Sequence, residues 1–409
     1  MLTYLLRRLL LMVPTLLGIT VVVFTVMAMS PGGISAQAMI SMNMTPEQKQ
    51  AEMAYINKLY GLDKPLPIQY LRWLNNASPF GFTQDEQGHY TGFSFTKGMY
   101  LGRSLKYSRP IMEILGERIP ITLLLNVITL PLIYVIAIMV GVKAATDRGG
   151  RFDVGSSMSL LALWSVPTML AGVLLLGFFA NSQYFQWFPT AGISSRTAQD
   201  MPFLPHWGSL WDVLKVFGWI LVGMALMVTL SRVLKLSVWW STSLLLCGAT
   251  AGVITGVQFS GDGFVRGFLV DRLWHLVLPV ICLSYGGFAA LAKLTRTSVL
   301  ENLNADYART ARAKGLQESD VLWTHVFRNS LLPLITVSAG LLPSLLAGSL
   351  IVEYIFSIQG MGQLAVEAVK NRDRDLVLAI TLISGFLTLM GYLIADLFYT
   401  LVDPRVTYE

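Results

Sequence analysis

The chain has 409 residues, 54% of them hydrophobic and 13% charged, with a mean hydropathy of +0.58. A soluble domain is nearer one quarter charged, so this composition excludes an ordinary water-soluble protein. The formal charge of +6 lies beside apolar blocks, where it directs membrane topology and gives no sign of nucleic-acid binding.

The apolar residues fall in blocks of roughly 17–25 residues, the length that crosses a bilayer. They are continuous, not alternating, and so predict helices and not barrel strands. The first block, about 9–29, follows Arg7-Arg8 and ends at Pro31-Gly32-Gly33. It exceeds the apolar core of a secretory signal and reads as an uncleaved transmembrane helix within 1–30. Residues 31–117 form a long extracytoplasmic segment. Thr45-Pro46-Glu47 marks a helix start there, and the Gly-rich stretch 80–100 reads as loop.

Two spans follow within 118–182, at about 119–142 and 157–181, joined by a short basic turn with Lys143, Arg148 and Arg151. Region 183–273 carries Trp187, Trp207 and Trp211, residues suited to a membrane–water interface. It also carries an inserted transmembrane hairpin, about 214–257, with spans near 214–231 and 237–257 and a turn holding Arg232 and Lys235. Gly248, Gly252 and Gly256 lie four residues apart, a smooth stripe that lets another helix approach closely. The block 274–409 holds spans at about 274–294, 331–352 and 376–401, separated by a polar segment, 295–330, and a polar loop, 353–375. The total is about eight spans with both termini on one side. Basic residues in the short connections place that side, and segment 295–330, in the cytoplasm.

Several chemistries are missing. There is no phosphate loop, no H-E-x-x-H pair and no G-x-S-x-G elbow. His89, His206, His275 and His325 are scattered, and Cys247 and Cys282 inside apolar blocks read as small apolar fillers. No catalytic residue and no metal site is predicted, and Gly360-Met361-Gly362 is a weak motif fragment. Asp396 is the clearest ionisable residue inside a span and reads as an interfacial or paired acid. Asn126, Ser165 and Thr168 are polar positions near mid-membrane whose facing the sequence leaves open. A proton-coupled carrier needs more such groups. Energy therefore comes from elsewhere, or the protein is a passive channel or scaffold; a membrane-embedded enzyme lacks a constellation to work with.

Segment 301–333 reads ENLNADYARTARAKGLQESDVLWTHVFRNSLLP. Ala305 to Lys314 predicts a short helix, on which Ala308, Ala311 and Gly315 share one narrow arc. That small, smooth arc is read as the face offered to a partner, with Gly315 permitting a turn and Glu318 to Phe327 leading back to the membrane. A topological role for its basic residues alone stays open.

This segment resembles the cytoplasmic EAA loop of ABC importer permeases. DYARTARAKGL followed by RNSLLPLIT is similar to the oligopeptide/dipeptide/nickel branch. So are LLRRLLLMVPTLLGITVVVFTV with SPGG, YGLDKPLPIQYLRWL, LGRSLKYSRPIMEILGERIPITL, IVEYIFSIQGMGQLAVEAVKNRDRDLV and DLFYTLVDPRVTY. The resemblance implies an all-α polytopic membrane protein with a six-helix permease core, to which the hairpin is added. It implies pairing with a second permease chain, two cytoplasmic ATPase subunits that bind ATP and Mg, and an extracytoplasmic binding protein that delivers a peptide-like solute. No cofactor is then needed in this chain, which lies in a bacterial inner membrane. The docking residues would be Asp306, Tyr307, Ala308, Arg309, Thr310, Ala311, Arg312, Ala313, Lys314 and Gly315. Two features depart from the general loop pattern: Arg309 stands where it has glutamate, six residues before the glycine, and the Leu-Pro pair lies further on.

Overall fold

In lipid a chain must satisfy its backbone hydrogen bonds within each segment, and the apolar blocks accordingly fold as helices. The computed structural model describes residues 2–29, 45, 47–48, 50, 54, 64–84, 90–207, 210–233, 238–259, 264–265 and 267–402. Pro31-Gly32-Gly33, Lys235 and the final Asp403-Pro404-Arg405 lie outside them. Two compact units result: Met1–Gln186 with Leu278–Glu409, and Trp187–Val277.

The first unit opens with α1 (Leu2–Met29). Thr45 and Gln48 exchange backbone-to-side-chain hydrogen bonds of 3.2 and 3.4 Å, the reciprocal pattern of a capping box at the expected helix start. Next come α2 (Leu66–Ala77), strands β1 (Gly81–Gln84) and β2 (Tyr90–Ser94), and α3 (Ile111–Thr146). The stretch read as loop is therefore an antiparallel hairpin. Phe82 faces Phe93 across it, with ring centroids 5.6 Å apart. Asn75 anchors it from α2, donating to Phe82 O at 2.9 Å and accepting from Phe82 N at 2.8 Å. The glycines concealed this pairing from a reading by composition.

The expected span 157–181 is broken into α4 (Arg151–Ser165) and α5 (Thr168–Phe179), bent by 97°. The cause is Pro167: a proline pushes the preceding residue out of the helical region, and Val166 sits at φ −83°, ψ 121°. At the bend the Tyr285 hydroxyl donates to Val166 O at 2.6 Å, and just beyond it the Cys282 thiol donates to Thr168 O at 3.5 Å. Cys282 is buried, and Cys247 is exposed.

In the second unit, β3 (His206–Trp207) pairs with β4 (Phe264–Val265), and helices α6 (Leu210–Val233) and α7 (Val238–Phe259) form the hairpin. The glycine stripe lies in their contact. A Cβ on Gly248 would stand 2.5 Å from Gly223 O, one on Gly252 2.5 Å from Trp219 O, and one on Gly256 2.8 Å from the Val216 Cα. These neighbours are backbone, so they cannot rotate away. Gly248→Leu is expected to force the helices apart and to destabilise the hairpin by about 1–3 kcal/mol. A fall in the melting temperature of the purified chain, with insertion retained, checks this.

Helix α8 (Gly267–Leu303) is longer than its expected span. The first unit continues with α9 (Asp306–Ala313), α10 (Phe327–Ile355), α11 (Met361–Lys370) and α12 (Arg374–Val402). The expected 353–375 loop thus holds α11, and Pro333, placed at a span's start, lies inside α10. Five described helices are long and apolar enough to cross a membrane, or six if the bent pair counts as one. Asp396 on α12 is paired, with Arg8 of α1 at 2.7 Å.

Candidate functional site

Helix α9 begins after Ala305 in extended conformation, with Asp306 in its first turn and Arg312 in its last. That charge order complements the helix dipole. It ends at Gly315, whose φ of +79° is left-handed. Gly315 N donates to Arg312 O at 2.9 Å and Leu316 N to Ala311 O at 3.4 Å, the paired bonds of a Schellman turn.

The small-residue arc requires a correction. Ala308 and Ala311 are buried within this chain, against Val142 and Ala145 of α3, Val299 of α8, and Val321 and Val326. Their small size lets α9 lie flat on its own support and does not present a smooth face outward. The outward face is formed by Asp306, Tyr307, Arg309, Thr310, Ala313, Lys314 and Gly315, with Arg309 71% and Asp306 99% exposed at their side chains. Arg312 lies between the two faces and acts as a clamp. It donates to Leu303 O at 3.1 Å and to Glu318 Oε1 at 2.7 Å, holding the end of α8, the short helix and the returning chain together. Tyr307 donates to the Asn302 side chain.

The return path is a turn at Glu318–Asp320 and a π-helical stretch, Val321–Val326, running into α10. Two ties brace the helices that carry α9. Arg296 of α8 makes a bidentate pair with Asp153 of α4, its Nη2 standing 2.7 Å from Oδ2, and Gly149 N donates to the same carboxylate at 2.9 Å. Ser298 and Ser330 each donate to the other's carbonyl, at 3.1 and 3.3 Å, joining α8 to α10. The span estimate placed Asp153 just outside a helix and so missed this pair. Its signal was an acid in a basic turn, with an arginine in a later basic segment.

A second polar centre surrounds Glu353, which is fully buried in α10. Thr122 of α3 donates to it at 2.7 Å, and Gly362 N and Gln363 N donate at 2.7 and 3.2 Å. Met361 N donates to the Thr122 hydroxyl at 2.8 Å. A Cβ on Gly360 would stand 2.5 Å from Glu353 Oε2. The glycine fragment therefore exists so that the first turn of α11 can close on a carboxylate. Asn126 lies nearby in sequence, buried, with its amide nitrogen on Thr122 O at 2.8 Å. Ser165 is bonded to Ala162 O at 2.7 Å beside the α4–α5 bend.

Helix α11 is also tied to the segment before α3. Lys106 Nζ and the Tyr107 hydroxyl donate to Glu367 at 2.7 and 2.5 Å. Partial burial works to raise the Glu367 pKa, but the bonds from Lys106 and Tyr107 outweigh it and hold the carboxyl below its usual 4.5. The Glu367 hydrogen bond raises Lys106 above its usual 10.5. A lowered acid stabilises the fold above its unfolded pKa, an advantage lost as pH falls through the folded value; a raised lysine does so below its own, an advantage lost as pH rises through the folded value. The wild-type stability advantage over Lys106→Met is therefore expected to be full between the unfolded values of 4.5 and 10.5, to shrink as pH falls through the folded Glu367 value, and to shrink again as pH rises through the folded Lys106 value. Paired melting curves across pH check it.

Two family models match this chain. The binding-protein-dependent transport system inner membrane component covers residues 135–408, and the N-terminal part of such membrane components covers 1–126. The chain belongs to this family. It is thus a membrane component of binding-protein-dependent, ABC-type import. It is 30% identical to the oligopeptide transport system permease protein AppB of Bacillus subtilis, over all of both chains. It is 28% identical to the inner membrane ABC transporter permease protein YejB of Escherichia coli O157:H7, over 99% of each. It is also 28% identical to the peptidoglycan transport system permease protein YejB of Agrobacterium fabrum, over 99% of this chain and 98% of that one.

Proposed function

We propose that this permease carries a peptide-like solute across the inner membrane by alternating access, and that α9 is the lever through which two cytoplasmic ATPase subunits drive it. The observation that carries this is the mounting of α9. Its inner face is locked to α3, α8 and the π-helical return by Ala308 and Ala311, and its outer face is exposed. A push on the outer face is therefore delivered to three long helices at once.

The basic turn 143–151 and α9 lie at the same end of the unit, since Val142 and Ala145 pack against Ala308 and Ala311. Both segments are rich in Lys and Arg, which supports a cytoplasmic location with both termini inside. The peptide cargo is supported by the names of the relatives, and an extracytoplasmic binding protein and a second permease chain by the family. ATP and Mg then belong to the partner subunits. The test is to reconstitute the purified complex in vesicles with ATP inside and a peptide-loaded binding protein outside. Uptake that needs both, and that fails with a hydrolysis-deficient ATPase partner, supports the reading. Uptake without nucleotide identifies a channel and overturns it.

A further inference from the structure

Helix α2, the loop Tyr100–Arg103 and the start of α12 enclose a cavity of about 180 Å³ in the first unit, at the end that carries α11. Its lining includes Gln69, Arg72, Trp73, Arg103, Arg374 and Asp375. Among the described residues of the lining, three arginines face one carboxylate. Arg374 Nε donates to Asp375 at 2.8 Å and its Nη1 lies 3.4 Å from the Gln69 amide oxygen, so that pair nearly cancels within the wall. Arg72 and Arg103 leave the cavity with excess positive charge. Arg103 is steadied by a 3.1 Å bond to Ser108 O. Trp73 is 95% buried, being 5% exposed, and among the described residues its indole N–H has no hydrogen-bond partner. A buried donor without an acceptor costs about 1–3 kcal/mol, and such a group calls for an acceptor from elsewhere.

We propose that this cavity is a binding site for a carboxylate. The guanidinium planes of Arg72 and Arg103 supply charge-assisted donors of the geometry that carboxylates accept, and the Trp73 N–H supplies a neutral donor. Asp375 on the wall disfavours a dianion more than a monoanion, which selects carboxylate over doubly charged phosphate. The volume admits a carboxylate with a few attached atoms and no large solute. On the orientation proposed above it opens to the extracytoplasmic side, but the charge and donor pattern stand without that reading.

The full chain in lipid nanodiscs, titrated with sodium acetate at constant ionic strength, tests this, with acetamide as the neutral isostere. Acetate is expected to raise the melting temperature by several degrees and acetamide to leave it unchanged. In R103Q and in W73F, which keeps the aromatic ring but removes the N–H, the acetate concentration giving the half-maximal shift should rise at least tenfold. R72Q, on the half-buried side of α2, serves where W73F is poorly folded. A wild-type chain that responds equally to acetate and acetamide, or variants that respond like wild type, overturn the site. Transport by R103Q then separates the source of the carboxylate. A loss confined to peptides with a free C-terminus, and absent for amidated ones, assigns it to the solute. An equal loss for both, with weaker capture of the binding protein, assigns it to an acidic side chain of that protein.

Discussion

Gly315→Pro is expected to reduce ATP-driven uptake about 100-fold while the protein still inserts at normal levels. Proline fixes φ near −65° and has no N–H, whereas Gly315 has a φ of +79° and donates to Arg312 O at 2.9 Å. The substitution therefore removes one of the two bonds that close α9, about 1 kcal/mol, and forbids the left-handed turn that proline cannot adopt, for a combined cost of about 3 kcal/mol. At roughly 1.4 kcal/mol per tenfold, that shifts the balance between the seated and the unseated helix by about 100-fold. Gly315→Ala supplies the graded control. No atom of the described residues lies within 4 Å of where its Cβ would go, so only the left-handed backbone is penalised, by about 1–2 kcal/mol. Gly315→Asn, which tolerates that conformation, is expected to stay close to wild type. Uptake into vesicles, normalised to permease content, checks the order Gly, Asn, Ala, Pro; a reversed or flat series refutes the turn's role.

The second large effect is expected at Arg296→Ala. Asp153 is 3% exposed, and Arg296 supplies both of its side-chain partners. Removing the guanidinium leaves the buried Asp153 carboxylate with the Gly149 N bond but without its countercharge, at a cost on the order of 3 kcal/mol. The double variant Asp153→Asn with Arg296→Gln removes the charge with its partner and should recover most of the loss. Since the pair joins α4 to α8, the single variant should also loosen the 143–151 turn against α9. Denaturation midpoints of the two variants and wild type give the comparison; a double variant no better than the single one rules out a charge-based explanation.

Much of this was legible in the sequence because lipid imposes a simple rule: each apolar block must be a helix. The positions of the long helices and the seat of the hairpin's glycines follow from hydropathy and residue size, and of the two readings left open for Asp396, interfacial or paired, the cost of an unpaired charge leads to the second. What could not be read depends on contacts distant in sequence. Glu353 looked like a loop residue because its partner, Thr122, is 231 positions away. The Pro167 break is invisible to hydropathy, since α4 and α5 remain one apolar run, and only the residue before the proline betrays it. The small residues of α9 were found correctly, but their direction was reversed. A wheel shows that Ala308 and Ala311 share a face; it does not say whether that face meets a partner or the chain's own Val142 and Val321.

The most direct measurement is site-directed cross-linking in the assembled complex, with single cysteines at Arg309 and at Lys314 on the exposed face and at Ala311 on the buried one. Cross-links from the first two positions to an ATPase subunit, changing with bound nucleotide and absent from the third, are the predicted result. Labelling of Arg309→Cys by a membrane-impermeant thiol reagent added from outside the cell, or cross-links to no ATP-hydrolysing subunit, contradicts the account.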